Sequence, residues 1–119
     1  MSKRKLFIML LRAEIEDTME GIEQLSFVME NRLNKGEITN YVYNGNKAFL
    51  AQEHAGLEKL LPLLDGVDTG SRKDVNALAF ETGDMLQREA KAADDPSVIL
   101  EIISRKIKKV LKYITEQQE

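Results

Sequence analysis

Three sets of residues have the types and spacing that could support chemistry. The first is His54, the one histidine of the chain. On a helix it could accept a phosphoryl group. A phosphoryl-accepting histidine of a helical bundle typically has Lys and Gly one turn later. Here Leu57 and Glu58 occupy that turn, and the acid would repel phosphate. The second set is acidic. Between positions 13 and 31 stand Glu14, Glu16, Asp17, Glu20, Glu23 and Glu30, with no Lys or Arg among them. Glu16, Glu20 and Glu23 share one side of a helix, where they could hold a hard cation loosely. A carboxylate-bridged metal bundle also needs inward-facing acids and Glu-x-x-His motifs on two helices. The chain has no such motif, and the inward positions of this stretch are Ile15, Met19 and Ile22. No metal site and no cofactor are therefore expected, and the acids are read first as a solvated face.

The third set is basic. Arg105, Lys106, Lys108, Lys109 and Lys112 fall between positions 102 and 115 with no acid among them. A basic amphipathic helix can grip phosphates, an anionic membrane surface or an acidic partner. The net charge of −3 argues against a general nucleic-acid binder. No catalytic constellation is seen: there is no Gly-x-Ser-x-Gly, no phosphate-cradling Gly-rich loop and no His-Glu-x-x-His. Asp68-Thr69-Gly70 matches an aspartic-protease triplet, but it falls in a loop between helices and lacks the β scaffold that chemistry needs.

Two apolar features point to recognition instead. Leu6, Phe7, Ile8, Met9, Leu10 and Leu11 are six consecutive apolar residues. They point all round a helix axis, so one neighbouring helix cannot cover them. Leu6, Phe7, Met9 and Leu10 are the expected contact surface, with a second copy of the chain as the simplest cover. Tyr41 and Tyr43, beside Asn40, Asn44, Gly45 and Asn46, could line a second recognition surface.

The elements that position these residues are helical. Ile8, Leu11, Ile15, Met19, Ile22, Leu25, Met29 and Leu33 recur at steps of three and four, predicting a helix over about 3–34 with Gly36 as a left-handed cap. Gly21 inside it costs about 1 kcal/mol against Ala, which suggests a packing reason. A second helix is expected over about 39–64, with Phe49, Leu50, Leu57, Leu60, Leu61 and Leu64 inward and Pro62 in its last turn. Residues 38–46 also allow a strand entering an Asn-Gly hairpin, so helix and hairpin both stand there. Ser71-Arg72-Lys73-Asp74 resembles a capping box opening a third helix over about 72–93. Asp95-Pro96 opens a fourth over about 96–117. Their inward residues are Val75, Leu78, Ala79, Thr82, Leu86 and Ala90, then Ile99, Ile103, Ile107, Val110 and Ile114.

A length of 119 residues bounds the chain to one domain, and 43% hydrophobic with 31% charged residues is a globular composition. There is no cysteine, which excludes disulfides, thiolate nucleophiles and zinc–thiolate sites together. No run approaches ~20 apolar residues, so no membrane span is expected. The basic start followed by Leu6–Leu11 is too short an apolar run for a signal peptide, and a cytoplasmic protein follows. The expected fold is all-α, an antiparallel up-down four-helix bundle in which the acidic first helix lies beside the basic fourth. The expected function is that of a non-enzymatic interaction or assembly protein, acting as a homodimer or other homo-oligomer with a protein partner. The alternative is a small-molecule or metal-binding bundle, which could be an enzyme, built on His54 and the carboxylates of the first helix.

Overall fold

The structure, a computed structural model, describes residues 1–70 and 74–116. It is all-helical there, with α1 (Lys3–Asn34), α2 (Asn40–Asp65), α3 (Val75–Ala92) and α4 (Ser97–Glu116) packed as a four-helix bundle. Among the described residues no helix is long and apolar enough to cross a membrane.

The starts of α1, α2 and α3 are each explained by a side chain. Ser2 accepts a hydrogen bond from the Lys5 amide at 3.1 Å, and Thr39 accepts one from the Val42 amide at 3.2 Å. The Thr39 cap resolves residues 38–46 in favour of helix, which runs from Asn40 through Gly45 without a break. At α3 the cap is Asp74, which accepts from the Ala77 amide at 2.8 Å. The helix therefore begins at Val75, later than the capping-box reading requires; Ser71, Arg72 and Lys73 lie outside the described residues.

Two helices end in the same way. At α1, Gly36 takes φ 75°, the Gly36 amide donates to Leu33 O, and the Glu37 amide donates to Arg32 O. At α3, Asp94 takes φ 54°, its amide donates to Lys91 O, and the Asp95 amide donates to Ala90 O. Both satisfy carbonyls that the last turn leaves free.

Side-chain contacts fix the alignment of the helices. Arg4 Nε donates to Thr69 O, Arg12 donates to Leu61 O and pairs with Asp65, and His54 meets Glu23. These pairs run α1 and α2 antiparallel, with Thr69, just after α2, beside the start of α1. Arg12 also places its charge at the negative end of the α2 dipole. Lys59 pairs with Asp95, and Ile99 packs on Gly56, so α4 begins level with the middle of α2. Ile107 lies against Gly83, where a Cβ would approach to 3.0 Å.

The core consists of Phe7, Leu11 and Ile15 from α1, Leu57, Leu60 and Leu64 from α2, Leu78 and Leu86 from α3, and Ile99, Ile103 and Ile114 from α4. Most of these lie in the lower half of α1 or opposite it, and Ile22 and Leu50, also buried, continue the core a short way upward. The packing is uneven: α1 with α2 and α3 with α4 form the extensive contacts, α1 with α4 follows, and α2 touches α3 only sparsely. The molecule is accordingly flat and long, 56 × 33 × 18 Å.

Within that distribution the N-terminal run divides between core and surface. Phe7 and Leu11 are buried, and Leu6, Ile8 and Leu10 are half-buried against the core. Of the run only Met9 is exposed. Surplus apolar surface occurs instead at the other end of α1. A 32-residue helix is about 48 Å long, against about 30 Å for the 20 residues of α4. The overhang falls at the upper end, where α1 and α2 project beyond α3 and α4 as a two-helix hairpin. Leu25 and Phe49, expected inward, are exposed there because no third helix reaches them. Gly21 has no packing reason within the chain either: a Cβ placed on it meets nothing within 4 Å.

Candidate functional site

The projecting hairpin gathers most of the unusual surface. Ten large hydrophobic residues are exposed among the described residues, and Leu25, Phe27, Val28, Tyr41, Val42 and Phe49 all belong to this one segment. Scattered exposed hydrophobes need no explanation, but a concentration of them marks a contact surface.

One side of the hairpin holds a cleft of about 560 Å³ between α1 and α2. Its floor is apolar, made by Ile22 and Leu50 with Met29. Phe27 stands on the α1 wall and is 64% exposed. Tyr43 stands on the α2 wall, with the Lys47 ammonium 5.7 Å from its ring centroid. Glu23 and Glu30 edge the α1 side, and His54 closes the lower end. The His54 Nε2–H donates to Glu23 Oε1 at 2.8 Å, since a carboxylate can only accept. Nδ1 lies 3.8 Å from Glu58 Oε2, too far for a hydrogen bond. The side chain is about a quarter exposed.

The cleft thus unites residues that come from three separate features of the sequence: His54, two of the helix-one acids, and Tyr43. Glu14, Glu16 and Glu20 are not part of it. Glu16 pairs loosely with Arg12 at 3.9 Å. Glu14 faces α4, where Lys109 Nζ lies at 2.6 Å and Lys106 Nζ at 3.4 Å. The hydrogen bond from Lys109, aided by the charge of Lys106, holds the Glu14 carboxyl below its ordinary value of 4.5 against the opposing effect of burial. The basic stripe is thereby divided. Lys106 and Lys109 turn to α1, Lys112 approaches Glu116 of its own helix, and Arg105 and Lys108 remain on the surface. Tyr41 is 89% exposed on the back of α2, away from the cleft that Tyr43 lines. Among the described residues no group of three or more His, Asp or Glu is placed to hold a metal ion.

Phe27, Val28 and Lys47 escape sequence reasoning. A signal for the first two exists: they are apolar yet fall between Leu25 and Met29, outside the three–four stripe that points at α2. No protein-family model matches the chain, and neither a curated protein nor a solved structure matches it significantly.

Proposed function

We propose that the chain is a non-enzymatic interaction protein whose working part is the projecting α1–α2 hairpin, with the cleft as the seat of a protein partner. The observation that carries this is exposed Phe27 standing over a cleft floor of Ile22, Met29 and Leu50, on a segment that two helices alone support. Folding the chain did not require Phe27 to be apolar there. A partner segment suited to the cleft offers an apolar side chain to Phe27 and Leu50 and a basic one to Glu23 and Glu30. This is the usual division of an interface into an apolar centre and a polar rim.

The test is a photo-crosslinking amino acid placed in cells at Phe27, with Phe80 as the control. Phe80 is also exposed but lies on α3, far from the hairpin. A discrete protein adduct from position 27 and none from position 80 supports the reading. Equal labelling from both, or none from either, removes it.

A second reading, a small-molecule site, has one observation in its favour. The Glu23 carboxylate fixes the His54 ring at the end of a cleft whose volume is within the range of ligand pockets. Ligand-observed NMR against a metabolite library, repeated on His54→Ala, checks it. Hits that vanish in the variant favour it, and an empty screen disposes of it.

A further inference from the structure

Thr82 is the exception among the threonines inside helices. Thr18 Oγ1 donates to Glu14 O at 2.9 Å and Thr115 Oγ1 to Leu111 O at 3.0 Å, each one turn back along its own helix. Thr82 makes no such bond. Its hydroxyl is buried in α3, and it is the only buried side-chain polar atom without a hydrogen-bond partner among the described residues. Valine has nearly the same shape and would leave no donor unpaired, so packing alone does not explain a threonine there.

The same residue lines a groove. Leu78, Glu81, Thr82 and Met85 have the spacing of one face of α3, and across from them stand Leu63 and residues 66–68 at the end of α2. Because α2 touches α3 only sparsely, a space of about 310 Å³ remains between them. That is the lower end of the volumes that hold small molecules. The groove lies at the end of the bundle where Arg4 meets Thr69, away from the hairpin and its cleft. Leu78 belongs to the core, and Leu63, Val67 and Met85 are half-buried against it.

We infer that this groove binds a small, uncharged, mostly apolar molecule carrying one hydrogen-bond acceptor, a ketone or amide oxygen, to which the Thr82 hydroxyl donates. The lining defines the class. Its walls are apolar, so the body of the ligand is apolar. A single unpaired hydroxyl calls for a single acceptor. Since water does not reach that hydroxyl, the new bond replaces none made to solvent. Asp68 and Glu81 border the groove, and among the described residues no Lys or Arg lines it, so a carboxylate or phosphate would find no counter-charge. Met85 is the side chain that yields to admit the ligand, because an unbranched thioether adapts its shape readily. The inference stands apart from the role of the hairpin and does not depend on it.

The test is amide-resolved NMR of the full chain with three matched probes: acetophenone, its hydrocarbon counterpart ethylbenzene and its acid counterpart benzoate. Acetophenone should shift the amides of residues 63–68 and 78–85 and bind about tenfold more tightly than ethylbenzene. Benzoate should leave those amides unmoved. Thr82→Val should abolish the preference for acetophenone over ethylbenzene, and Thr82→Ser, which restores the hydroxyl, should keep it. Val67→Trp, which fills the groove, should remove binding of both. The inference is overturned if millimolar acetophenone leaves those amides unmoved, if it shifts only the cleft of Phe27 and Tyr43, or if Thr82→Val retains the preference. None of those results touches crosslinking at Phe27, which judges the cleft separately.

Discussion

Glu14 of α1 is shared by two lysines of α4, Lys109 Nζ at 2.6 Å and Lys106 Nζ at 3.4 Å, while its own side chain is about four-fifths buried. It is the point at which the acidic first helix and the basic fourth helix meet. The other acids of α1 do not take part, so the long charge stripes reduce to one three-residue clamp.

The clamp makes stability depend on pH in a defined direction. A carboxyl whose folded pKa lies below its unfolded value stabilises the fold fully above the unfolded value, and the contribution disappears as pH falls through the folded one. Glu14 is of this kind, so its share is complete above about pH 4.5 and declines below it. Glu14→Gln should lower stability at pH 7 by about 1 kcal/mol. The deficit should shrink on acidification, which urea unfolding at pH 7 and pH 3 checks.

Gly56 and Gly21 should respond to alanine with opposite signs. A Cβ on Gly56 would come within 3.0 Å of Ile99 Cδ1 and 3.1 Å of its Cγ1, and Ile99 is completely buried. Overpacking of that kind costs about 1–3 kcal/mol, which offsets or exceeds the helix-propensity gain. Gly21→Ala meets no atom and should keep the whole gain of about 1 kcal/mol. Thermal unfolding of both variants in dilute solution makes the comparison.

Thr82 is buried in α3 at 2% exposure, and among the described residues its hydroxyl oxygen has no hydrogen-bond partner. A buried hydroxyl without a partner costs about 1–3 kcal/mol. Thr82→Val keeps the shape and removes the polar atom, so it should stabilise the fold by about 1 kcal/mol. Equal denaturation midpoints for the two proteins would contradict this.

Asp94 occupies a left-handed conformation at φ 54° after α3. Glycine adopts it freely and a β-branched residue does so only with strain. Asp94→Gly should raise stability by about 0.5–1 kcal/mol, and Asp94→Val should lower it by at least as much. Calorimetry on the pair tests the order.

The four helices were legible in the sequence because their apolar residues return every three or four positions and their ends carry caps. Asn40–Gly45 remained open between helix and hairpin, since Asn-Gly signals a turn as readily as a cap; the Thr39 hydroxyl decides it. The site was half legible. His54 and Glu23 stood out by type, but their meeting depends on the alignment of α1 with α2. The exposed apolar stretch at the upper end of α1 and α2 was not read from the sequence. Six apolar residues in a row drew attention to Leu6–Leu11, whereas the connections decide where the overhang falls. The connection from α2 to α3 is short in sequence, and Thr69 meets Arg4 near the N-terminus of α1, so the excess length of α1 and α2 accumulates at residues 22–54. Periodicity within a helix carries no information about that offset.

Because α1 runs unbroken from Lys3 to Asn34, one hydrogen-bonded rod crosses from a crowded neighbourhood into a sparse one. Its lower turns can open only if the core comes apart, while its upper turns need only part from α2. Amide protons should therefore exchange in sequence from the tip downwards, and the chain softens at Asn34 long before it melts at Ile15. Any molecule that gripped the tip would spend some of its affinity on stiffening that end. It would leave a record of having done so in slowed exchange many residues away.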